Sequence, residues 1–368
     1  MSKFELSLAK DYVSDWTYTD AIRELFQNAL DQEVSTDNNK MFFDYNPDSQ
    51  VLSIGNKSSV LDTSTLLLGS STKRDNADTI GQFGEGYKIA TLVLTREGKS
   101  VTFYNYGNKE VWKPRFVKSR RYKTEILTFF VDKKHYWQNI PDNNLTIEVS
   151  NVSQEEYKNI IESNLHLQEI GDSFTTNKGR ILLEKRYKSK VYVNGLYVCN
   201  YKDYHYGYDF KPSMLKIDRD RKLVNNFELR WLASKMWLDG GEEKMRKVAA
   251  NLIRMNAADV DFVSSYTEKD EYSKTADYVY EDFMDEHGNN AIPVTDQEGM
   301  ESASKSRFNP ILVSSEVKTA ILSSHLYKEP KTLYKPSLEE RLKEWLQNHK
   351  QSLSNKAIRE IEGIIGGL

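Results

Sequence analysis

The stretch ELFQNALDQ, residues 24–32, places an acid, an amide and a second acid along a segment that is otherwise apolar. Ile22, Leu25, Phe26, Ala29 and Leu30 recur at helical spacing and predict a helix over residues 17–33. Within it Glu24 and Asn28 are four residues apart and stack on one face; Asp31 follows one turn later on nearly the same side. Burying a carboxylate among apolar neighbours is costly unless it has a partner, so this face either meets solvent or lines a polar cavity. Taken by itself, the stretch reads as an exposed stripe.

Further along, GQFGEGYKIA at residues 81–90 changes that balance. Gly81, Gly84 and Gly86 precede an apolar helical run, so main-chain N–H groups can approach an anion, phosphate above all, at a positively polarised helix start. Neither common phosphate loop fits. Gly81 and Gly86 have the outer spacing of a P-loop, but Tyr87 stands where its lysine belongs and no hydroxyl residue follows Lys88. The G-x-G-x-x-G dinucleotide pattern fails at Ile89. A plain loop ahead of a helix is the alternative.

In this order the two stretches resemble the boxes of the GHKL superfamily of ATPases, which takes in gyrase B, MutL, the ninety-kilodalton heat-shock chaperones, the MORC proteins and histidine kinases. The first box of that superfamily, E-L-x-x-N-[SA]-x-D-[AQ], is matched by Glu24, Leu25, Asn28, Ala29, Asp31 and Gln32. IGQFGEGY at residues 80–87 is similar to the chaperones' lid box I-G-Q-F-G-x-G-F, and Lys88 is similar to the lysine of the MORC form. LLLGSSTKRD at residues 66–75 resembles the lid start of that branch. The likeness spans about residues 15–150.

The resemblance implies a two-layer α+β sandwich of the Bergerat type, which binds ATP with Mg²⁺ and converts it to ADP and phosphate. Nucleotide would close the loop between Leu66 and Ile80 and so switch a homodimer or partner interface. Asn28 would coordinate Mg²⁺ through its amide oxygen, which adds no negative charge beside the phosphates. Glu24 would orient and deprotonate the attacking water, a role commonly worth about 10²–10⁴-fold. Gly81, Gln82, Phe83, Gly84 and Gly86 would wrap the β- and γ-phosphates. Lys88 adds a point charge nearby or, equally, sits on the helix surface.

The chain departs from the superfamily at its second box, D-x-G-x-G, whose acid accepts a hydrogen bond from the adenine amine. LSIGNKSS at residues 52–59 sets Gly55 at the acid's position, with Asn56, Lys57 and Ser59 around it. Losing that acceptor weakens adenine selectivity by about 1–3 kcal/mol unless another group replaces it. Asp31 and Asp62 are the candidates, and Asn56 joins the nucleotide-binding set. Thr146 in LTIEVS resembles the strand threonine that closes the superfamily's pocket, although Leu145 replaces its customary glycine. In KIDRDRKLV, residues 216–224, the same resemblance offers Arg219, Arg221 or Lys222 as a γ-phosphate sensor; a solvated loop of exposed ion pairs explains the run as well.

The remaining chain organises around these boxes. KMFFDYN and SQVLSIGNK, split by Asn46-Pro47-Asp48, predict a hairpin, and SVTFYNYG, EILTFFVD and LTIEVS alternate like strands. With the resemblance, these elements make residues 1–150 the expected ATP-binding domain. A second, transducer-like α/β domain over 151–255 holds KVYVNGLYVC, where Asn194-Gly195 asks for a tight two-residue turn, and a helical stretch over 225–255 broken near Gly240-Gly241. Residues 256–368 drift toward polar composition and read as a small appended unit, with AIPV and NPILVS as strands. It ends in an amphipathic helix that opens on the capping-box pair Ser337 and Glu340, and this unit is where a protein partner is expected.

Bulk properties narrow the partners. Fifty-one basic against 54 acidic side chains leave a net charge of −3, so no overall field recruits a polyanion. One cysteine, Cys199, excludes an internal disulfide framework, and six histidines show no metal-ligand spacing with it. No run approaches the roughly 20 apolar residues of a membrane span, and residues 1–16 lack a signal-peptide core. A cytoplasmic protein without membrane contact is expected. Three other readings remain: a nucleotide sensor without turnover; a nucleic-acid clamp using KPRFVKSRRYK and KGRILLEKRYKSK; and a phosphoacceptor at His325, five residues before Pro330 but with Leu326 where an acid belongs.

Overall fold

The chain opens on a strand, β1 (Ser2–Ala9), whose Leu6 and Leu8 turn inward while Lys3, Glu5 and Ser7 stay outside. The predicted helix follows as α1 (Tyr18–Ser35), begun where the Asp20 carboxylate accepts from the main-chain N–H of Thr17 at 2.9 Å. The computed structural model describes residues 1–67, 86–137, 143–215, 225–239, 241–266, 270–329 and 337–366. The lid segment over 68–80, with Gly81, Gln82, Phe83 and Gly84, lies outside the described residues. So do Arg219, Arg221, Lys222 and Pro330.

The predicted hairpin is β2 (Met41–Asn46) with β3 (Val51–Asn56), and the apolar run after the glycines is α2 (Gly86–Arg96). Four strands complete the layer: β4 (Ser100–Asn105), β5 (Glu110–Lys118), β6 (Glu125–Lys133) and β7 (Leu145–Ser150). They assemble in the order β1-β6-β5-β4-β7-β3-β2, every neighbouring pair antiparallel. Register explains the layering. Phe43, Ile54, Ile147 and Phe103 stand opposite one another across four strands and so share a face. That face carries the core with Leu25 and Ala29 of α1 and Ile89 and Val93 of α2. Helix α3 (Gln154–Glu162) packs beside α1, and Lys99 ties the start of β4 to it by a 2.6 Å bridge to Glu156.

A second, five-stranded sheet follows: β8 (Ser173–Thr176), β9 (Gly179–Leu182), β10 (Lys190–Val193), β11 (Leu196–Asn200) and β12 (Gly207–Phe210), ordered β11-β10-β12-β9-β8. β10 and β12 run parallel, and the other pairs are antiparallel. The turn between β10 and β11 holds Asn194 at φ 50° and Gly195 at φ 76°, the left-handed pair a two-residue hairpin requires.

Two compact units result, Met1–Lys202 with Tyr206–Glu228, and Asp203–His205 with Leu229–Leu368. The second unit continues the helical stretch of α4 (Asn226–Asp239) and α5 (Glu243–Arg254) into α6 (Asp270–His287). Its AIPV and NPILVS segments give β13 (Ala291–Val294) and β14 (Asn309–Leu312), a parallel pair bridged by α7 (Gln297–Lys305) and followed by α8 (Ser315–Ser323). The chain is therefore a mixed α+β protein. Among the described residues, no helix is long and apolar enough to cross a membrane.

Candidate active site

The side of α1 that bears its polar residues is covered, not exposed. Glu24 is 2% exposed, Gln27 1% and Asp31 3%, so the solvent-stripe reading does not hold. Packing accounts for this: α1 lies against α2 on one flank and against β2 and β3 on another, which leaves little of its circumference for water. A buried polar face on such a helix needs polar partners for its groups.

Gly86, the first residue of α2, stands against that face. A Cβ built at Gly86 would lie 2.6 Å from Oε2 of Glu24 and 3.2 Å from Nδ2 of Asn28. Below 3.0 Å a neighbour must shift, so position 86 is glycine because the acid and the amide fill the space a methyl needs. The last glycine of the 81–86 run therefore meets both chemical residues of residues 24–32. The Asn28 amide nitrogen is buried and has no hydrogen-bond partner among the described residues. Such an orphan costs about 1–3 kcal/mol, which a polar ligand at this place would recover. An amide turned about its last bond exchanges nitrogen for oxygen at the same point, so Asn28 can offer either a donor or an acceptor there.

Lys88 is not on the helix surface. It is wholly buried, and its Nζ donates to the main-chain carbonyls of Thr65 and Leu67, each at 2.8 Å. Tyr87 supports the same clasp through a 2.9 Å hydroxyl contact with Thr65, and burial pushes its phenol well above the ordinary range. The start of α2 is thus pinned to the short 3-10 turn Thr63–Leu66, which leads into the 68–85 segment. Asp62 is committed to that turn: its exposed carboxylate accepts from the main-chain N–H of Ser64 at 2.8 Å, and hydrogen bonding by Ser64 holds its pKa down.

Strand alternation sorts the second-box residues onto two faces. Leu52, Ile54 and Asn56 face α1, whereas Gly55 pairs with Thr146 and Phe42 on the opposite face of the sheet. Counting along the motif sets Gly55 at the acid's position, but the position facing the helix belongs to Asn56. Gly55 is glycine for a local reason, since a Cβ there would meet the Leu145 carbonyl oxygen at 1.9 Å. Thr146 shares that far face, away from Leu145, Ile147 and Val149. Asn56 is 2% exposed and donates to the carbonyls of Ala29 at 2.9 Å and Asn39 at 3.2 Å, which binds the end of β3 to α1 just beyond Asn28.

Several residues that hold the site in place carry no motif. Asn39 accepts from Ser58 N–H at 2.8 Å and donates to Ser59 at 2.9 Å, while buried Asn105 exchanges hydrogen bonds with both main-chain groups of Leu61. Together they lay residues 57–62 across the sheet end. Arg23, one turn before Gln27, donates to the Tyr197 carbonyl at 3.0 Å. Only spacing to Glu24 marks Gln27 in the sequence, and nothing there marks the asparagines.

The other sequence candidates occupy ordinary structural positions. In KPRFVKSRRYK, Arg115 lies over the Phe130 ring at 4.1 Å, and Phe116 lies under Lys10 at 5.5 Å. Arg180 pairs with Asp209 at 2.6 Å and Arg186 with Glu184 at 2.8 Å. His325 is held by Asp277 through its main-chain N–H at 2.8 Å and its Nδ1 at 3.1 Å. Among the described residues, no group of three or more His, Cys, Asp or Glu side chains stands where it could hold a metal ion.

Comparison with known proteins extends along the chain beyond these residues. The family model described as Mycoplasma pneumoniae MPN635 N-terminal domain matches residues 155–238, from α3 through the five-stranded sheet to α4. A protein of Mycoplasma pneumoniae (strain ATCC 29342 / M129 / Subtype 1), named "Uncharacterized protein", is 23% identical over 228 residues. That match covers 60% of this chain and 91% of the Mycoplasma protein, so it embraces nearly the whole of that relative.

Proposed function

We propose that the first unit is a GHKL-type module of the Bergerat architecture that binds Mg-ATP and hydrolyses it. The observation that carries this reading is the meeting of Gly86 with Glu24 and Asn28. Two stretches far apart in sequence, each similar to one box of that superfamily, converge on one buried place. The residues there fit the group: the amide nitrogen of Asn28 is buried and unsatisfied, and Gly86 lets the acid and the amide lie directly against the start of α2.

In this mechanism Asn28 would hold Mg²⁺ through its amide oxygen, and the ion would supply charge neutralisation to the phosphates. Glu24, fixed against the start of α2, orients a water and takes its proton as that water attacks the terminal phosphate, whose bond to the bridging oxygen breaks so that ADP leaves. The N–H groups at the start of α2 present a positive helix end to the phosphates. Lys88 acts one step removed, by pinning α2 to residues 65 and 67 so that Gly86 stays against the acid. Asn56 keeps the end of β3 joined to α1 at Ala29.

The test is Mg²⁺-dependent nucleotide binding and phosphate release, comparing the native chain with Glu24→Ala and Asn28→Ala. Glu24→Ala is expected to bind ATP and lose turnover by about 10²–10⁴-fold. Asn28→Ala is expected to lose the metal-dependent part of binding. Equal turnover in all three chains defeats the mechanism, and tight binding without turnover in the native chain replaces hydrolysis by nucleotide sensing.

A further inference from the structure

The second unit holds a cavity that the chemistry above does not use. Tyr280, Phe283 and Met284 stand at i, i+3 and i+4 of α6 and so share one of its faces. With Phe308, Ile321 of α8 and Tyr327 they line a space of about 210 Å³ against β13. Phe283 and Ile321 are buried at its floor, whereas Tyr280, Met284, Phe308 and Tyr327 are half-buried, so the space opens to the surface. The Tyr280 and Tyr327 rings meet edge to face with centroids 6.2 Å apart. A cavity of about 150 Å³ with walls of this kind takes up benzene, and a drug-sized ligand needs about 300 Å³ or more. This one therefore has room for a single ring with a small substituent.

Its polar groups are few and of one kind. Lys328 is the only charged residue among the described residues that line it; it is exposed at the rim and joins no ion pair among the described residues. Burial, helped by the Glu329 carboxylate, pushes the Tyr327 phenol up, so that hydroxyl keeps its proton and can donate. The segment that carries both residues is pinned to α6. Asp277 accepts from the Ser324 hydroxyl at 2.7 Å and the His325 main-chain N–H at 2.8 Å, and the Tyr327 N–H reaches the Ser324 carbonyl at 3.3 Å. An apolar, ring-lined interior thus ends in an ammonium and a hydroxyl donor held in place beforehand.

We propose that this cavity binds a small aromatic carboxylate, its ring among Tyr280, Phe283, Phe308 and Tyr327 and its carboxylate on Lys328 and the Tyr327 hydroxyl. The ring supplies most of the affinity, because aromatic surface leaves water and meets aromatic neighbours at favoured angles. Lys328 decides the sign of the charge. As an exposed ammonium it adds little, yet it favours an acid over a neutral ring of the same shape, and no carboxylate lines the cavity to hold an amine. The site lies wholly in the second unit, so its test is independent of whether the first unit hydrolyses ATP.

Methionine-methyl NMR of the full chain, titrated at low salt with benzoate, benzyl alcohol and benzylamine, reads this directly. The Met284 methyl lines the cavity, and its resonance is identified by its loss in Met284→Leu. It is expected to shift saturably with benzoate while those of Met255 and Met300 stay in place. Benzoate should bind about two- to fivefold more tightly than benzyl alcohol, and benzylamine more weakly than either. Lys328→Met changes an exposed side chain, and melting confirms that the fold is kept; it should leave benzyl alcohol binding unchanged and erase the preference for benzoate. A Met284 methyl that none of the three compounds moves overturns the proposal. So do methionine shifts spread alike along the chain, benzoate binding no tighter than the alcohol or the amine, or a preference for benzoate that survives Lys328→Met.

Discussion

Gly86→Ala isolates the contact on which the catalytic proposal rests. The added methyl would lie 2.6 Å from Oε2 of Glu24, whereas ordinary contact begins at 3.4 Å, so the carboxylate must withdraw by about 0.8 Å. The obstacle is the far end of a flexible side chain, so the fold yields cheaply, at about 0.5–1.5 kcal/mol for a displaced rotamer. Alanine in the first turn of α2 returns up to about 1 kcal/mol of helix propensity, which leaves stability nearly unchanged. Chemistry is less forgiving, because misplacing a catalytic group by about 1 Å can cost on the order of 10²-fold in rate. Thermal melting should therefore move by only a few degrees while phosphate release under saturating Mg-ATP falls by about two orders of magnitude. Native turnover in Gly86→Ala, measured beside an active native chain and an inactive Glu24→Ala, would show that the position of this carboxylate does not matter and would refute the reasoning.

Lys88→Met removes the donor from two carbonyls, those of Thr65 and Leu67, and is expected to destabilise the first unit by about 2–4 kcal/mol, read as a lowered melting temperature. Asn56→Asp turns a carboxylate toward the Ala29 and Asn39 carbonyls in place of the amide that donates to them; thermal melting should show a larger loss than for Asn56→Ala. Burial alone pushes the Glu156 carboxyl up, but the Lys99 ammonium and the Ser153 main-chain N–H outweigh it, and the net pKa lies below the ordinary 4.5. Its contribution is therefore present above about 4.5 and is lost as pH falls through the lower folded value, so Lys99→Met should flatten the acid limb of the stability–pH profile.

What the sequence disclosed follows how local each signal is. Helix α1, the Asn194-Gly195 hairpin and the capped start of helix α9 (Leu338–His349) are written within a few consecutive residues, and all three are legible. β1 alternates plainly at Phe4, Leu6 and Leu8, yet its partner β6 lies more than a hundred residues away, and only that pairing makes it a strand of the sheet. Helix α6 hides because two of the five residues it buries, Tyr272 and Thr275 among Ala276, Val279 and Phe283, carry hydroxyls, so its inner face reads less plainly as apolar. Burial of Lys88 was illegible for a related reason: the carbonyls that justify it belong to a turn more than twenty residues earlier.

The second box shows the limit of matching letters. Motif counting fixes a residue by its distance along the chain, but what meets a cavity is a face, and in a strand the face changes with every residue. One step separates Gly55, pressed against the Leu145 carbonyl, from Asn56, bonded to α1. A missing acid at Gly55 is thus a statement about packing between β3 and β7, and the chemistry at that end of the sheet must be sought in the amide of Asn56. The first box escapes this ambiguity because its residues are spaced by helical turns, so counting by four keeps Glu24 and Asn28 on one side whatever packs around them.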